Sequence, residues 1–124
     1  MTGNLILVDT NVLIYMLNGD RAVAESLHDQ QIVVSFITEI ELQSYEMSPE
    51  ILDKVKDLLS QCLIVEINSE IKARCIELVK SKKCKLADGI VAATAMSYEL
   101  PLITADKHFS RIEELNLILY RPED

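Results

Sequence analysis

Four apolar residues in unbroken succession, Leu5-Ile6-Leu7-Val8, run straight into Asp9. A half-exposed strand alternates apolar and polar side chains, whereas an unbroken run predicts a strand covered on both faces. Covering both faces takes a helical layer on each side, which confines the chain to a layered α/β architecture. In open parallel sheets, ligands are held outside the carboxyl ends of the strands. Asp9 is therefore expected at that edge.

The rest of the chain repeats the alternation. A short helix over 11–17 is stopped by Asn18-Gly19, and a second runs over 21–29. Strand two spans 31–36, and Thr38 caps a helix holding Glu39, Ile40, Glu41 and Leu42. Ser48-Pro49-Glu50 is a helix start, with a hydroxyl cap, proline at the first position and an acid in the first turn. Its predicted core face is Ile51, Leu52, Val55, Leu58 and Leu59. Strand three covers 62–65. Ser69 caps a helix whose core face is Ile71, Cys75, Leu78 and Val79. After a lysine-rich turn at 81–85 comes an alanine-rich helix over 86–96, with small side chains suited to close packing. Strand four is 102–104, a loop covers 105–109, and the last strand is 117–120. The expected fold is a three-layer α/β/α sandwich in a single domain, 1–124, with a mainly parallel sheet of about five strands.

Composition narrows the function. Only His28 and His108 carry imidazoles, with no HExxH, which argues against histidine-based zinc. Cys62, Cys75 and Cys84 are odd in number and lack CxxC spacing, so they are expected to be buried thiols. No apolar stretch nears the ~20 residues that span a bilayer, and the start lacks signal-peptide character, so a soluble cytoplasmic protein is expected. A net charge of −8 opposes non-specific nucleic-acid binding. The basic residues are nonetheless grouped. Lys72, Arg74, Lys80, Lys82, Lys83 and Lys85 are opposed between 72 and 85 only by Glu77, a local balance of 6 − 1 = +5.

Four acids are predicted to converge. Asp9 follows strand one, Glu41 lies in the helix after strand two, and Asp106 follows strand four. In a parallel sheet these share the carboxyl edge, and Asp88 joins them if its helix starts there. Four carboxylates in one cleft repel, and some take up protons unless a cation intervenes. Oxygen-only ligands suit Mg²⁺ or Mn²⁺. One or two such ions activate water and stabilise a leaving oxygen in phosphodiester cleavage.

These residues carry a family resemblance. Val8-Asp-Thr-Asn-Val-Leu-Ile-Tyr15, Ser35-Phe-Ile-Thr-Glu-Ile-Glu-Leu42, Leu86-Ala-Asp-Gly-Ile-Val-Ala-Ala-Thr-Ala95 and Leu102-Ile-Thr-Ala-Asp-Lys-His-Phe109 resemble, in order, the motifs of PIN domains. They are most similar to the VapC-type ribonuclease toxins of toxin–antitoxin modules. The resemblance implies a Mg²⁺- or Mn²⁺-dependent endoribonuclease that acts on RNA, a homodimer, and a cognate antitoxin that blocks the cleft. It implies Asp9 and Asp88 as the main metal ligands, with Glu41 and Asp106 completing the site or holding its water. Thr10, Asn11 and Thr104 match positions that support the acids through hydrogen bonds. Lys82, Lys83 and Lys85, just before Asp88, are candidates to guide the RNA backbone. Tyr45 departs from the glycine of many relatives, with an expected effect on how its helix packs at a dimer or antitoxin surface. Tyr15 and Phe109 are expected in the core rather than in a base stack.

Three rival readings compete with this one. A signalling receiver domain needs an acidic pair after strand one and an Asp after strand three, but Val65-Glu66 ends strand three here. A haloacid-dehalogenase-like phosphatase needs a second Asp where Asn11 stands. The third is an inert PIN-like domain that binds a partner or RNA without cutting. It has no reason to keep four repelling groups.

Overall fold

The fold follows from period-2 alternation inside each apolar strand. In β1 (Leu5–Val8), Leu7 packs into one core cluster, while Ile6 and Val8 pack into the other. Val33 and Val34 of β2 (Gln31–Ser35) divide the same way, as do Leu102 and Ile103 of β4 (Leu102–Thr104). Every central strand thus needs apolar cover on both faces. The computed structural model describes residues 4–122; the outermost parts of the expected range 1–124, residues 1–3 and 123–124, lie outside it.

Among the described residues, six α-helices supply the cover. On one face lie α5 (Ser69–Lys80) and α6 (Leu86–Ser97), with a 3₁₀ helix at Lys107–Arg111. On the other lie α1 (Thr10–Leu17), α2 (Arg21–Leu27), α3 (Phe36–Ser44) and α4 (Pro49–Ser60). Between them β3 (Leu63–Val65) and β5 (Leu117–Leu119) complete a five-stranded sheet of order β3-β2-β1-β4-β5, parallel at every pairing. The expected α/β/α sandwich is what forms.

The strand order has a functional consequence. From β1 the chain builds outward to β2 and β3, then returns to place β4 on the other side of β1. The two halves part at the carboxyl ends of β1 and β4. This reversal of direction opens the crevice in which doubly wound sheets hold ligands.

Several local expectations shift. Ser35, not Thr38, caps α3, its side chain accepting from the Ile37 amide. Thr38 is buried inside the helix. Asn68, not Ser69, caps α5 by accepting from the Ile71 amide at 2.8 Å. Ile51 is 50% exposed, so the core face of α4 rests on Val55 and Leu59 with Leu58 beside them. The expected loop at 105–109 contains the start of the 3₁₀ helix. Among the described residues, no helix is long and apolar enough to cross a membrane.

Candidate active site

Asp9 ends β1 by capping α1. Its backbone is extended, and its side chain accepts from the Thr10 amide at 2.9 Å. The other carboxylate oxygen accepts from the Thr104 hydroxyl at 2.7 Å and from the Asn11 amide group at 3.3 Å. Glu41 projects from α3, where the Thr10 hydroxyl donates to it at 2.6 Å. That hydroxyl also lies 3.1 Å from the buried Thr38 hydroxyl. Thr10 and Thr104 therefore tie two different acids to the end of the sheet.

Asp106 caps the 3₁₀ helix, accepting from the His108 amide at 2.9 Å and lying 2.7 Å from the His108 ring nitrogen Nδ1. Its own amide donates to Thr104 Oγ1 at 3.1 Å, so one hydroxyl links Asp9 and Asp106. Asn11 Oδ1 accepts from the Ala105 amide at 3.0 Å and fixes the turn between them. Asp88 stands in the first turn of α6. Its neighbour Gly89 lets α6 lie close to α5: a Cβ there would meet Cys75 Sγ at 3.0 Å.

Asp9, Glu41, Asp88 and Asp106 line one cleft of about 180 Å³, together with Thr10, Asn11 and Tyr45. Four separate elements of the chain supply the four carboxylates. Burial pushes the Asp9 carboxyl above its usual range; the bonds from Thr104 and Thr10 oppose this, and the charges of Asp88 and Glu41 add to it. Burial raises Asp88 as well, with Asp106 and Glu41 adding and His108 and Lys85 opposing. Neither acid is fully compensated by positive charge. The donors are all oxygen, which suits a hard divalent ion such as Mg²⁺ or Mn²⁺. Among the described residues, no three carboxylate, histidine or cysteine groups already meet in a ligating arrangement.

The candidate RNA contacts Lys82, Lys83 and Lys85 line an adjoining cavity of about 480 Å³, which shares Asp88 and Asp106 with the cleft. His108 and Arg111 line it too. Sequence reasoning misses both. The Asp-x-His spacing at 106–108 is the available signal for His108. Arg111 gives none, since its approach to the lysine turn depends on tertiary packing. Tyr45, expected to matter at a surface of its helix, lines the acid cleft. Tyr15 packs on Tyr120 with centroids 6.0 Å apart, and Phe109 is buried. Of the three cysteines only Cys75 is fully buried, and burial raises every thiol, that of Cys62 to about 11.

A parallel α/β/α sandwich with an acid-lined cleft at the reversal of its strand order defines a class of domain. The family model described as PIN domain matches residues 6–115, and the chain belongs to that family. A search of the curated proteins returned no match. Among solved structures, a toxin–antitoxin complex from Klebsiella pneumoniae is similar at 31% identity and a TM-score of 0.79, over 91% of this chain and 95% of that one. VapBC2 from Rickettsia felis, bound to a DNA fragment from its promoter, matches at 21% identity and a TM-score of 0.84, over 94% and 99%. VapBC-1 from nontypeable Haemophilus influenzae matches at 23% and 0.79, over 93% and 97%. The latter two likenesses concern the fold.

Proposed function

We propose that this chain is a metal-dependent endoribonuclease and the toxin of a VapBC-type toxin–antitoxin module. The observation that carries the reading is the single cleft that Asp9, Glu41, Asp88 and Asp106 line at the sheet's carboxyl edge. Two of these acids have raised proton affinity from burial and mutual repulsion, a condition that a divalent cation relieves.

Asp9 and Asp88 would hold Mg²⁺ or Mn²⁺, with Glu41 and Asp106 completing the site. When bound, the ion supplies the positive charge that activates water and offsets charge on the leaving oxygen. The chain's own contribution is positional. Thr104 and Asn11 orient Asp9, and Thr10 orients Glu41. The Asp106 amide, bonded to Thr104, holds the fourth acid in register with the first. Lys82, Lys83 and Lys85 attract the RNA backbone to the adjoining wall. The likeness to a toxin–antitoxin complex supports a cognate antitoxin as partner. The family resemblance supports a homodimer and a cytoplasmic location.

Expression of the wild type beside Asp9→Asn, followed by mapping of RNA ends, tests the reading. Growth arrest and new cut sites are expected with the wild type alone. Equal cleavage by both, or by neither, overturns it. The inert partner-binding alternative predicts no cut sites with either protein and no binding of Mn²⁺.

A further inference from the structure

Two of the three thiols meet at one point of the fold. A Cβ on Gly89 would lie 3.0 Å from Cys75 Sγ and 3.4 Å from Cys84 Sγ, so both sulfurs flank the same residue of α6. They can be no farther apart than those two lengths added together, and glycine places no side chain between them. Cys62 packs in the cluster on the other face of the sheet. Cys75 belongs to the cluster under α5 and α6, and Cys84 packs against it. A pairing within the chain is therefore Cys75 with Cys84.

The two differ in access. Cys75 is 5% exposed inside α5, and its thiol lies 3.9 Å from the Leu86 carbonyl. Cys84 is half-buried and lines the cavity of about 480 Å³. An accessible thiol beside a sealed one lets the first meet an oxidant and the second resolve it. A sulfur that only fills space acts as a small apolar group and needs no second sulfur. The turn lets Cys84 approach. Its Ser81, Lys82 and Lys85 are exposed, whereas Cys75 is fixed within α5. Movement there reaches the acid cleft. The Lys85 carbonyl, next to Cys84, accepts from the Gly89 amide at 2.8 Å. That bond closes the first turn of α6, which carries Asp88. Drawing Cys84 toward α5 shifts this turn, and Asp88 with it.

We propose that Cys75 and Cys84 are a redox modification site, closing to a reversible disulfide that resets Asp88 at the acid cleft. The bond is independent of the nuclease reading; only its effect on metal binding rests on that reading. Hydrogen peroxide is the oxidant. The Cys84 thiolate attacks one peroxide oxygen, the O–O bond breaks, and the other oxygen takes a proton and leaves as water. The Cys75 thiolate then attacks the Cys84 sulfenic sulfur. The S–S bond forms, and hydroxide leaves and takes a proton to become a second water. Two thiols thus lose two protons and two electrons, which reduce one peroxide to two waters. Burial raises both thiols, so the reaction is slow at neutral pH. A small dithiol reverses it by exchange.

Oxidation of the protein with hydrogen peroxide in EDTA, then tryptic digestion without reductant, tests the pairing. Trypsin cuts after Arg74, Lys80, Lys83 and Lys85, so Cys75 and Cys84 fall on separate peptides, 75–80 and 84–85, unless bridged. Mass spectrometry should find the two joined, two hydrogens lighter than their sum, and dithiothreitol should part them. Cys62→Ser should pair like wild type and Cys84→Ser should not, with circular dichroism checking the fold of each. Residual dipolar couplings of the Asp88 and Gly89 amides, measured without metal, read the coupling. Both should change on oxidation, while that of Val55, on the other face, stays. Calorimetry should show Mn²⁺ bound about tenfold more weakly by the oxidised form. Cys84 oxidised to a sulfinic acid, or bridged to a second molecule, with no joined 75–80 and 84–85 peptides overturns the pairing. A bridge that leaves the Asp88 and Gly89 couplings unchanged overturns the resetting of Asp88. Equal Mn²⁺ affinity in both forms overturns the effect on the metal. Reduced protein that binds no Mn²⁺ overturns the metal-dependent reading and leaves the bridge and its couplings standing.

Discussion

The acid cleft and the basic cavity share a wall, yet they are built by opposite means. In the cleft, Asp9, Glu41 and Asp106 are each tied by short hydrogen bonds to neighbouring hydroxyl, amide or ring groups. In the cavity, the lysines and Arg111 extend without ion partners among the described residues. The difference matches two physical demands. Ligating a cation takes oxygens at fixed positions, and such positions come from supporting bonds. Attracting a flexible polyanion takes a field, and a field does not depend on rotamers. Substitutions in the cleft should therefore act on chemistry and metal binding, and substitutions in the cavity on substrate affinity.

The largest expected effect is that of Asp9→Asn, which should lower RNA cleavage at saturating substrate by more than about 100-fold, the upper end for residues that only position a ligand. Arg111→Glu should instead raise KM and leave kcat near wild type. A kcat loss in Arg111→Glu equal to that of Asp9→Asn would erase the division between the two sites. Next comes Thr104→Val, which keeps the buried shape and removes the donor to Asp9. Calorimetry should show Mn²⁺ affinity reduced by about 10- to 100-fold. Retained affinity would mean that Asp9 needs no support.

A smaller effect is expected behind the shared wall. Gly89→Ala would set a Cβ 3.0 Å from Cys75 Sγ and 3.2 Å from Val79 Cγ2. Denaturant unfolding should report a loss of about 1–3 kcal/mol, with α6 and Asp88 displaced together. The smallest concerns pH without metal. Asp9 and Asp88 hold protons more tightly folded than unfolded, so the folded state binds more protons. Their contribution to stability is present below the ordinary value of 3.8 and is lost as pH rises through the raised folded values. In EDTA, Asp88→Asn should melt above wild type near pH 7, and the gap should narrow as pH falls toward the ordinary value of 3.8. A gap that widens in acid would give the shift the opposite sign.

How much of this was legible in the sequence differs along the chain. The central strand and Asp9 were readable because an unbroken apolar run that ends in an acid leaves few alternatives. The α/β/α layering followed from the same alternation repeated. Helix caps were harder. Ser35 and Thr38 are both hydroxyl residues within one turn, and which of them caps depends on where β2 stops in the sheet. Asn68 and Ser69 pose the same choice one residue apart. The four acids could be assigned to one edge because a parallel sheet orders its strand ends. Their hydrogen-bond network, and the cavity that the 81–85 turn lines together with Arg111, bring together residues far apart in the chain, and no local pattern encodes such proximity.

The most direct test of the cleft is a crystal of the protein soaked in Mn²⁺ and measured for anomalous scattering. A peak within ligating distance of the Asp9 and Asp88 carboxylates is expected, and it should vanish in Asp9→Asn. A wild-type map with no peak there, or with manganese bound only elsewhere on the surface, would contradict the metal-dependent reading.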